Sequence, residues 1–268
     1  TMLLFNFLNS QNITKTLPIM TKIIAMILSL MLAGCASSNS SNGKSSEENK
    51  APEETPAKLV AISFDDGPNN DTTPKVLDVL EEFKAPASFF VIGQNISDST
   101  AEQMKRAISL GCEIQNHSYT HSFMTQLATE AVIDEIERTD ALVEKYTGRR
   151  PTLFRPPYID QNKSMHDAVK HTFISGINCQ DWEPDHSAQA RFNDVMAKVQ
   201  DGDIILLHDF TGNDNTVDAL KLIIPELRKR GFTLVTVSDL FKMKGISPKP
   251  NSGYLYTNVL QEELIQNR

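Results

Sequence analysis

From Leu59 onward, short apolar runs alternate with amphipathic stretches, and this alternation limits the possible folds more than any other feature of the sequence. Short apolar runs predict buried strands, whereas amphipathic stretches bounded by Pro or Gly predict helices. Strict alternation of the two is typical of an α/β fold with a parallel sheet, and seven strands suit a barrel better than an open sheet. The predicted strands are 59–65, 88–93, 113–117, 153–156, 172–178, 204–208 and 233–237, and the predicted helices are 73–83, 99–110, 129–146, 164–171, 191–199 and 217–230.

The first 34 residues have the features of a bacterial lipoprotein signal peptide. Residues 23–33 form an apolar run that follows two lysines and is too short to span a bilayer. The run ends in Leu32-Ala33-Gly34-Cys35, which resembles a lipobox, so Cys35 is expected to be lipidated. An ordinary membrane anchor or a buried helix is the alternative. A second methionine at Met20 makes residues 1–19 compatible with an overlong start.

Residues 35–57 are rich in Ser, Asn, Glu, Lys and Pro and lack apolar periodicity, which predicts a disordered tether. As a random coil this tether would reach about 25 Å. The folded domain is expected at 58–244, followed by a C-terminal tail at 245–268 to which the sequence assigns no role. These features predict an exported protein whose lipid anchor attaches it to the extracytoplasmic side of a bacterial membrane.

Composition limits the partners of this domain. The chain has 268 residues, of which 40% are hydrophobic and 22% are charged, enough for one sizeable domain. The formal net charge of −8 argues against binding to nucleic acid. A monomer is expected. Cys112 and Cys179 fall in separate predicted elements and are interpreted as small buried apolar residues rather than as a disulfide.

Reactive side chains follow the predicted strands at their C-terminal ends. In α/β barrels the active site is built at this face, from residues that end different strands. Unrelated surface residues would not be expected to share this placement. The side chains concerned are Asp65, Asp66, His117, Arg155, Asp181 and His208.

Three of these residues, together with His121, have the composition of a metal site. Asp65 and Asp66 are adjacent, and two carboxylates at a strand end disfavour each other's ionisation unless a cation neutralises them. His117 and His121 are four residues apart, so one helical turn would place both imidazoles on one face. With Asp66 they form a two-histidine, one-carboxylate set that leaves positions for water and substrate. The same set would suit a non-haem iron oxygenase, and the two aspartates could instead cap a helix.

The remaining candidates suggest acid–base chemistry. Two prolines follow Arg155 and stiffen its backbone, so the guanidinium can be held against Asp65. Asp181 precedes the only tryptophan, Trp182, which is either a pocket wall or a core residue. His208 ends a strand and is either a satisfied buried residue or, with Asp181 as its partner, a cationic general acid.

Five motifs, taken in order, resemble those of carbohydrate esterase family 4, the polysaccharide deacetylases with a NodB-homology domain. The resemblance covers residues 58–244 and implies a single distorted (β/α)7–8 barrel. It also implies one divalent metal ion, usually zinc, with cobalt or manganese able to serve. The motifs are Ser63-Phe64-Asp65-Asp66-Gly67-Pro68, His117-Ser118-Tyr119-Thr120-His121, Arg155-Pro156-Pro157-Tyr158, Asp181-Trp182 and Leu206-Leu207-His208.

The resemblance assigns roles to these residues. Asp66, with the two histidines of the second motif, binds the metal, and Asp65 is the base that takes a proton from water. Arg155 holds Asp65 in its charged form. His208, kept protonated by Asp181, gives a proton to the departing sugar atom.

The resemblance also describes the pocket. The backbone N–H of Tyr158 stabilises the oxyanion, and Trp182 and Leu206 enclose the acetyl methyl group. Two departures from the family pattern affect the rim of the site. The family often has Gly after the motif tyrosine, where this chain has Ile159, and residues 183–186 are not general in the family.

The expected partner is an acetylated polysaccharide, either an N-acetylglucosamine polymer (peptidoglycan or chitin) or O-acetylated xylan. Residues 59–94 and the His117 region resemble the acetylxylan esterases more closely. The alternative function is a non-catalytic glycan-binding lipoprotein on the same scaffold. Such a protein is expected to have lost a metal ligand or the base, and the sequence retains both.

Overall fold

The computed structural model describes residues 57–261. Within this range nine strands form one sheet, and every pair of neighbouring strands in it is parallel. The strands are β1 (Lys58–Asp65), β2 (Ser88–Val91), β3 (Glu113–Asn116), β4 (Leu153–Phe154), β5 (Thr172–Ile174), β6 (Ile177–Asn178), β7 (Ile204–His208), β8 (Phe232–Val235) and β9 (Leu255–Tyr256).

Seven helices within the described residues connect most of these strands; the sequence pattern predicts the first six and misses the last. Their amphipathic faces cover the sheet, which is the usual arrangement where helices join parallel strands. They are α1 (Thr72–Phe83), α2 (Asp98–Ser109), α3 (Thr129–Thr147), α4 (Lys163–Ala168), α5 (Ala188–Lys198), α6 (Asp214–Lys229) and α7 (Val237–Met243).

The sheet curves into a barrel. The strand order is β6-β7-β1-β2-β3-β4-β5-β9, with β8 paired to the first half of β1. The segment after β9 reaches the start of β7, where Asn258 forms an antiparallel bridge with Asp203 and the Ile204 N–H donates to the Thr257 carbonyl at 3.0 Å. The expected distorted (β/α)7–8 barrel is confirmed.

The two faces of β1 explain both the core and the position of the site. Val60, Ile62 and Phe64 pack in an apolar cluster with residues of α1 and α6, whereas Leu59 and Ala61 join side chains from strands around the sheet. Successive residues of a strand point to opposite faces. Ser63 and Asp65 therefore continue the inward-facing row at the C-terminal end of the barrel.

The structure corrects two predicted strands. The predicted strand 172–178 is two strands, because the chain leaves β4 and pairs with β7 after Gly176. A Cβ atom at Gly176 would lie 2.7 Å from Cβ of Leu206, so only glycine fits this crossing. The predicted strand 233–237 ends at Val235, because the Thr236 side chain accepts from the Asp239 N–H and caps α7.

Other predictions concern the ends of the chain and the cysteines. The signal peptide, Cys35 and all of the tether except Ala57 lie outside the described residues. The C-terminal stretch, to which the sequence assigned no role, supplies β9. Cys112 and Cys179 are free and buried, as expected. Within 57–261, none of the helices combines the length and the apolar character that crossing a bilayer requires.

Candidate active site

A cluster of three metal-binding side chains lies at the C-terminal end of the barrel. Asp66 leaves β1 with a φ of 78°, and its Oδ1 atom lies 3.5 Å from His117 Nε2 and 3.4 Å from His121 Nε2. The ligand atoms of the three residues all lie within 4.8 Å of one another. Oδ1 of Asp66 is buried, and no described residue hydrogen-bonds to it. A buried carboxylate oxygen without a partner, facing two imidazole nitrogens, fits a divalent cation.

The protonation of the cluster suits metal binding. Burial alone would raise the pKa of Asp66, but its interactions with His117 and, more weakly, with His208 and His121 lower that pKa to about 2. Burial lowers the pKa of His121, and the neighbouring His117 adds to this effect. The set therefore offers a carboxylate and a neutral imidazole, the forms in which these groups coordinate metals.

The tautomer of His117 is fixed by a hydrogen bond to the backbone of Arg155, on the side of the ring away from Asp66. Its Nδ1 lies 2.6 Å from the Arg155 carbonyl oxygen, and the ring is only 2% exposed. Because a carbonyl oxygen only accepts, Nδ1 carries the proton and Nε2 keeps its lone pair toward Asp66. A second bond of this kind orients most metal-binding histidines.

A bent loop, rather than the helical turn expected from the sequence, brings His121 beside His117. Ser118 and His121 have φ values of 64° and 60°, which an α-helix does not contain. The Ser118 hydroxyl accepts from the His121 N–H at 3.0 Å. The buried Glu135 carboxylate of α3 accepts from the N–H groups of Tyr119 and Thr120 at 2.8 and 2.7 Å. These local bonds replace the helical ones.

Asp65 lies beside the cluster and is held by Arg155. Arg155 Nη1 donates to its Oδ1 at 2.5 Å, and Arg155 Nη2 donates to Ser63 Oγ and to the Ser175 carbonyl at 2.9 and 2.7 Å. The guanidinium also lies over the Phe90 ring at 4.1 Å. Arg155 is fully buried and Asp65 is 2% exposed. These contacts orient the carboxylate, and its Oδ2 lies 3.8 Å from His117 Nε2.

Asp181 and His208 form the expected pair on the opposite wall. His208 Nδ1 lies 2.8 Å from Asp181 Oδ1, and the His208 N–H donates to Oδ2 at 2.7 Å. Burial alone would lower the pKa of His208. The hydrogen bond and the charge of Asp181, with the charges of Asp65 and Asp66, outweigh burial and raise the pKa to about 9. His208 is therefore a cation at neutral pH, as a general acid must be.

A cavity of about 450 Å³ separates these groups. Trp182 and Leu206 line it, and the indole meets the His208 ring edge-on with 5.7 Å between ring centres. The Tyr158 side chain lies on the rim and is 57% exposed. Both Tyr158 and Ile159 have positive φ values, 58° and 56°. A β-branched residue is strained in this conformation, which accounts for the family's use of glycine at the position of Ile159.

A second opening lies on the other side of the metal-binding cluster. This groove of about 600 Å³ shares Asp66 and His121 with the cavity and is further lined by Asn69, Asn95 and Phe210. Both openings therefore reach Asp66 and His121. An elongated molecule could therefore extend in both directions from the reacting group.

Sequence reasoning missed the residues that support this site. Glu135 and Arg191 contribute through hydrogen bonds that join distant parts of the chain, and nothing in their spacing relates them to the motifs. Ser63 opens the first motif but was given no role, and its Oγ accepts from Arg155 Nη2. Asn116 carried a usable signal, because it directly precedes His117, and its Oδ1 accepts from the Ser118 N–H at 2.7 Å.

Known proteins share this arrangement. Residues 52–175 match a family model described as polysaccharide deacetylase. The chain is 42% identical over 222 residues to a bifunctional xylanase/deacetylase from Pseudobutyrivibrio xylanivorans, which covers 83% of this chain and 36% of that protein. It is 36% identical over 195 residues to a peptidoglycan-N-acetylglucosamine deacetylase from Bacillus cereus, which covers 70% of this chain and 90% of that protein.

The first of these relatives is much longer than the aligned region. A peptidoglycan-N-acetylmuramic acid deacetylase from Bacillus subtilis is likewise matched over only 39% of its length, at 36% identity. The chain therefore spans little more than a third of these two proteins.

Solved structures extend the likeness to the fold. The Xyl-CE4 domain of a xylanase from the hindgut metagenome of Trinervitermes trinervoides superposes with a TM-score of 0.73 at 43% identity, covering 76% of this chain and 98% of that domain. A family 4 acetyl xylan esterase from Clostridium thermocellum, in complex with cobalt, gives 0.74 at 39% identity, covering 75% and 99%. This chain thus belongs to carbohydrate esterase family 4, the polysaccharide deacetylases.

Proposed function

We propose that this domain is a metal-dependent hydrolase that removes acetyl groups from an acetylated polysaccharide. One observation supports this above the others: Asp65, a buried carboxylate fixed by Arg155, lies directly beside three residues suited to a cation. A base at the edge of a metal site is what hydrolysis of an acetyl group requires. The relatives, which are named as xylanase/deacetylase and peptidoglycan deacetylases, support the same reaction.

Asp66, His117 and His121 would hold the ion, which we expect to be zinc, with cobalt or manganese as substitutes. Such an ion supplies Lewis acidity, which makes water a better nucleophile and polarises the acetyl carbonyl. Asp65 accepts the proton from the attacking water, and Arg155 keeps the accepting oxygen aimed into the cavity. General base help of this kind is worth about 10²- to 10⁴-fold in rate.

The other wall of the cavity completes the reaction. His208 gives its proton to the leaving nitrogen or oxygen as the bond to the acetyl carbon breaks, and Asp181 holds the ring in place. The backbone N–H of Tyr158 is proposed to donate to the oxyanion. Trp182 and Leu206 exclude water from around the acetyl methyl group.

The identity of the polysaccharide substrate is a separate proposal. The two openings that reach Asp66 suit a chain rather than a single sugar. Relatives named for xylan and for peptidoglycan both align with this chain. We favour O-acetylated xylan, because the chain is 42% identical to the xylanase/deacetylase and 36% identical to the peptidoglycan deacetylases.

Two other classes of protein would use the scaffold differently. A non-catalytic glycan-binding protein would be expected to lack a ligand or the base, and Asp65, Asp66 and both histidines are present together. An iron oxygenase would have no use for a cationic His208 held by Asp181. Neither class is favoured by the geometry.

The proposal is tested by offering the metal-loaded domain acetylated xylan, a chitooligosaccharide and peptidoglycan fragments in parallel and measuring released acetate. Release from at least one polymer, abolished by a chelator, is expected. No release from any of them, with metal bound, would contradict the proposed function. The ratio among the three substrates identifies the polymer.

We also propose that the protein is exported and attached by lipid at Cys35 to the extracytoplasmic side of a bacterial membrane. The apolar segment before Cys35 and the polar stretch after it support this location. The full chain and its Cys35→Ser variant should be compared by membrane fractionation. The full chain should carry lipid and be recovered with the membranes, whereas the variant should carry no lipid and be lost from the membrane fraction. Equal lipid labelling of both proteins would refute the assignment.

A further inference from the structure

A buried arginine outside the five motifs is linked by hydrogen bonds to the His208–Asp181 pair, through two other side chains, and directly to the turn after Trp182. Arg191, on α5, is 2% exposed. The four hydrogen bonds that it donates within the described chain all end on neutral oxygen atoms. Burying a charged guanidinium costs free energy, and none of the hydrogen-bond partners of Arg191 is a carboxylate that would offset this cost. This cost suggests that Arg191 does more than fill space in the core.

One side of the guanidinium faces Asp181 through two intermediaries. Nη1 donates to Thr216 Oγ and to Asn213 Oδ1 at 2.7 and 2.6 Å. The Thr216 hydroxyl in turn donates to Asp181 Oδ2 at 2.9 Å, and Asn213 Nδ2 donates to the His208 carbonyl at 2.9 Å. Arginine has no acceptor, so it occupies the lone pairs of both intermediaries. Their own donors are then left pointing toward Asp181 and His208.

The other side of the guanidinium holds the turn that follows Trp182. Nε donates to the His186 carbonyl at 2.7 Å, and Nη2 donates to the Glu183 carbonyl at 3.2 Å. This turn directly follows Trp182, whose indole meets the His208 ring edge-on. One side chain therefore fixes His208 from two directions.

We propose that Arg191 is a positioning residue for the proton donor: it aligns Asp181 and His208 through Thr216 and Asn213 and holds the Trp182 turn against them. The inference depends on the proposed function, in which His208 protonates the leaving group. Loss of Arg191 should then harm substrates in proportion to their need for that proton. A purely structural role would affect all substrates alike.

The test compares leaving groups in Arg191→Met. Acetylated xylooligosaccharide and N-acetylchitopentaose expel an alkoxide or an amine, whereas 4-nitrophenyl acetate expels a phenolate that needs no proton. The variant should lose about 10- to 100-fold on the saccharide that the wild type hydrolyses, part of the 10²–10⁴ that a general acid supplies. On 4-nitrophenyl acetate the loss should stay within about threefold of wild type, since no acid is needed there. An equal loss on both substrates, or none, would overturn the proposal.

A matched control and a double variant sharpen the result. Arg228 also donates to backbone carbonyls, those of Phe83 and Lys84. Arg228→Met should therefore leave both rates unchanged. In the His208→Ala background, Arg191→Met should cost less than about twofold further, because residues that act as a unit are not additive. A full multiplicative loss would contradict coupling between the two residues.

A measurement independent of activity separates this inference from the proposed function. In the metal-free domain, the proton shared by Asp181 and His208 should give a downfield proton NMR resonance. In Arg191→Met this proton should exchange faster with water, so that the resonance disappears. In Arg228→Met the resonance should remain. Retention in both variants would overturn the positioning role, whether or not any substrate is hydrolysed. If Arg191→Met does not fold, Thr216→Val, which removes one intermediary, should show the same substrate split; no split would refute the relay.

Discussion

Replacement of Asp65 by Asn separates a catalytic base from a metal ligand. The substitution keeps the shape of the side chain and removes its charge and its ability to accept a proton from water. Asp66, His117 and His121 are themselves unchanged, so the metal should still bind. Turnover should fall by about 10²- to 10⁴-fold, the range for a lost general base.

Stability should fall as well, because the change leaves Arg155 without its counterion. Arg155 is 0% exposed and Asp65 is 2% exposed, so water does not screen the pair. Breaking a buried ion pair costs about 3–5 kcal/mol. The Asn carbonyl still accepts one hydrogen bond, so the lower end, about 3 kcal/mol, is expected; this lowers Tm by about 6–12 °C in a domain of this size.

The assay combines three measurements on the same preparation: bound metal, Tm and acetate release from the best polymer. Asp218→Asn, the same change in an exposed residue of α6 whose ion pair with Lys221 faces solvent, is the matched control and should alter none of them. More than a tenth of the wild-type rate with full metal occupancy would refute the base assignment. Loss of the metal would instead make Asp65 a ligand.

Three further predictions concern His208 and the metal. His208→Ala should reduce amide hydrolysis more than ester hydrolysis, because an amine leaves poorly without a proton; equal reductions in the two initial rates would count against His208 as the acid. The pKa of His208 is raised from 6.5 to about 9, so its pairing stabilises the metal-free domain fully below pH 6.5 and is lost as pH rises through 9. Urea unfolding at pH 6 and pH 10 should differ by about 3 kcal/mol more than in His208→Gln. Chelation should abolish acetate release and lower Tm. Added Zn²⁺, Co²⁺ or Mn²⁺ at 100 times its Kd should restore about 2.7 kcal/mol of stability. Turnover that is unchanged after complete chelation would exclude metal dependence.

Local pattern predicted most of the barrel. The apolar run from Leu59 and the helix stops at Gly111 and Gly148 appear in the structure close to their predicted ends, because burial and capping act over a few residues. The break after Ile174 was missed, since it depends on which strand the chain pairs with next. β9 was missed for a similar reason. A two-residue strand has too little pattern of its own and forms only against β5.

The candidate site divides in the same way. Asp65, Asp66, His117 and His208 were found because each ends a strand or directly follows one, and the C-terminal ends of the strands lie at the mouth of the barrel. The bend that brings His121 beside His117 depends on Glu135, which lies on another element, so a helical turn was expected in its place. Arg191 was invisible for the same reason. Its partners are backbone carbonyls and neutral side chains that only the folded chain assembles.

The strand formed by Leu255 and Tyr256 has a consequence for the chemistry of the site. The Tyr256 carbonyl accepts from the Ser175 N–H at 2.8 Å, and the Ser175 carbonyl accepts from Arg155, the partner of Asp65. Val259, a few residues on, is fully buried. A shortened protein that ends near Lys244 would thus lose strand β9. It would also lose the hydrogen bond that holds Ser175, and through Ser175 the support for Arg155 and Asp65. Any transplant of this catalytic unit into another enzyme has to carry the chain through at least Val259.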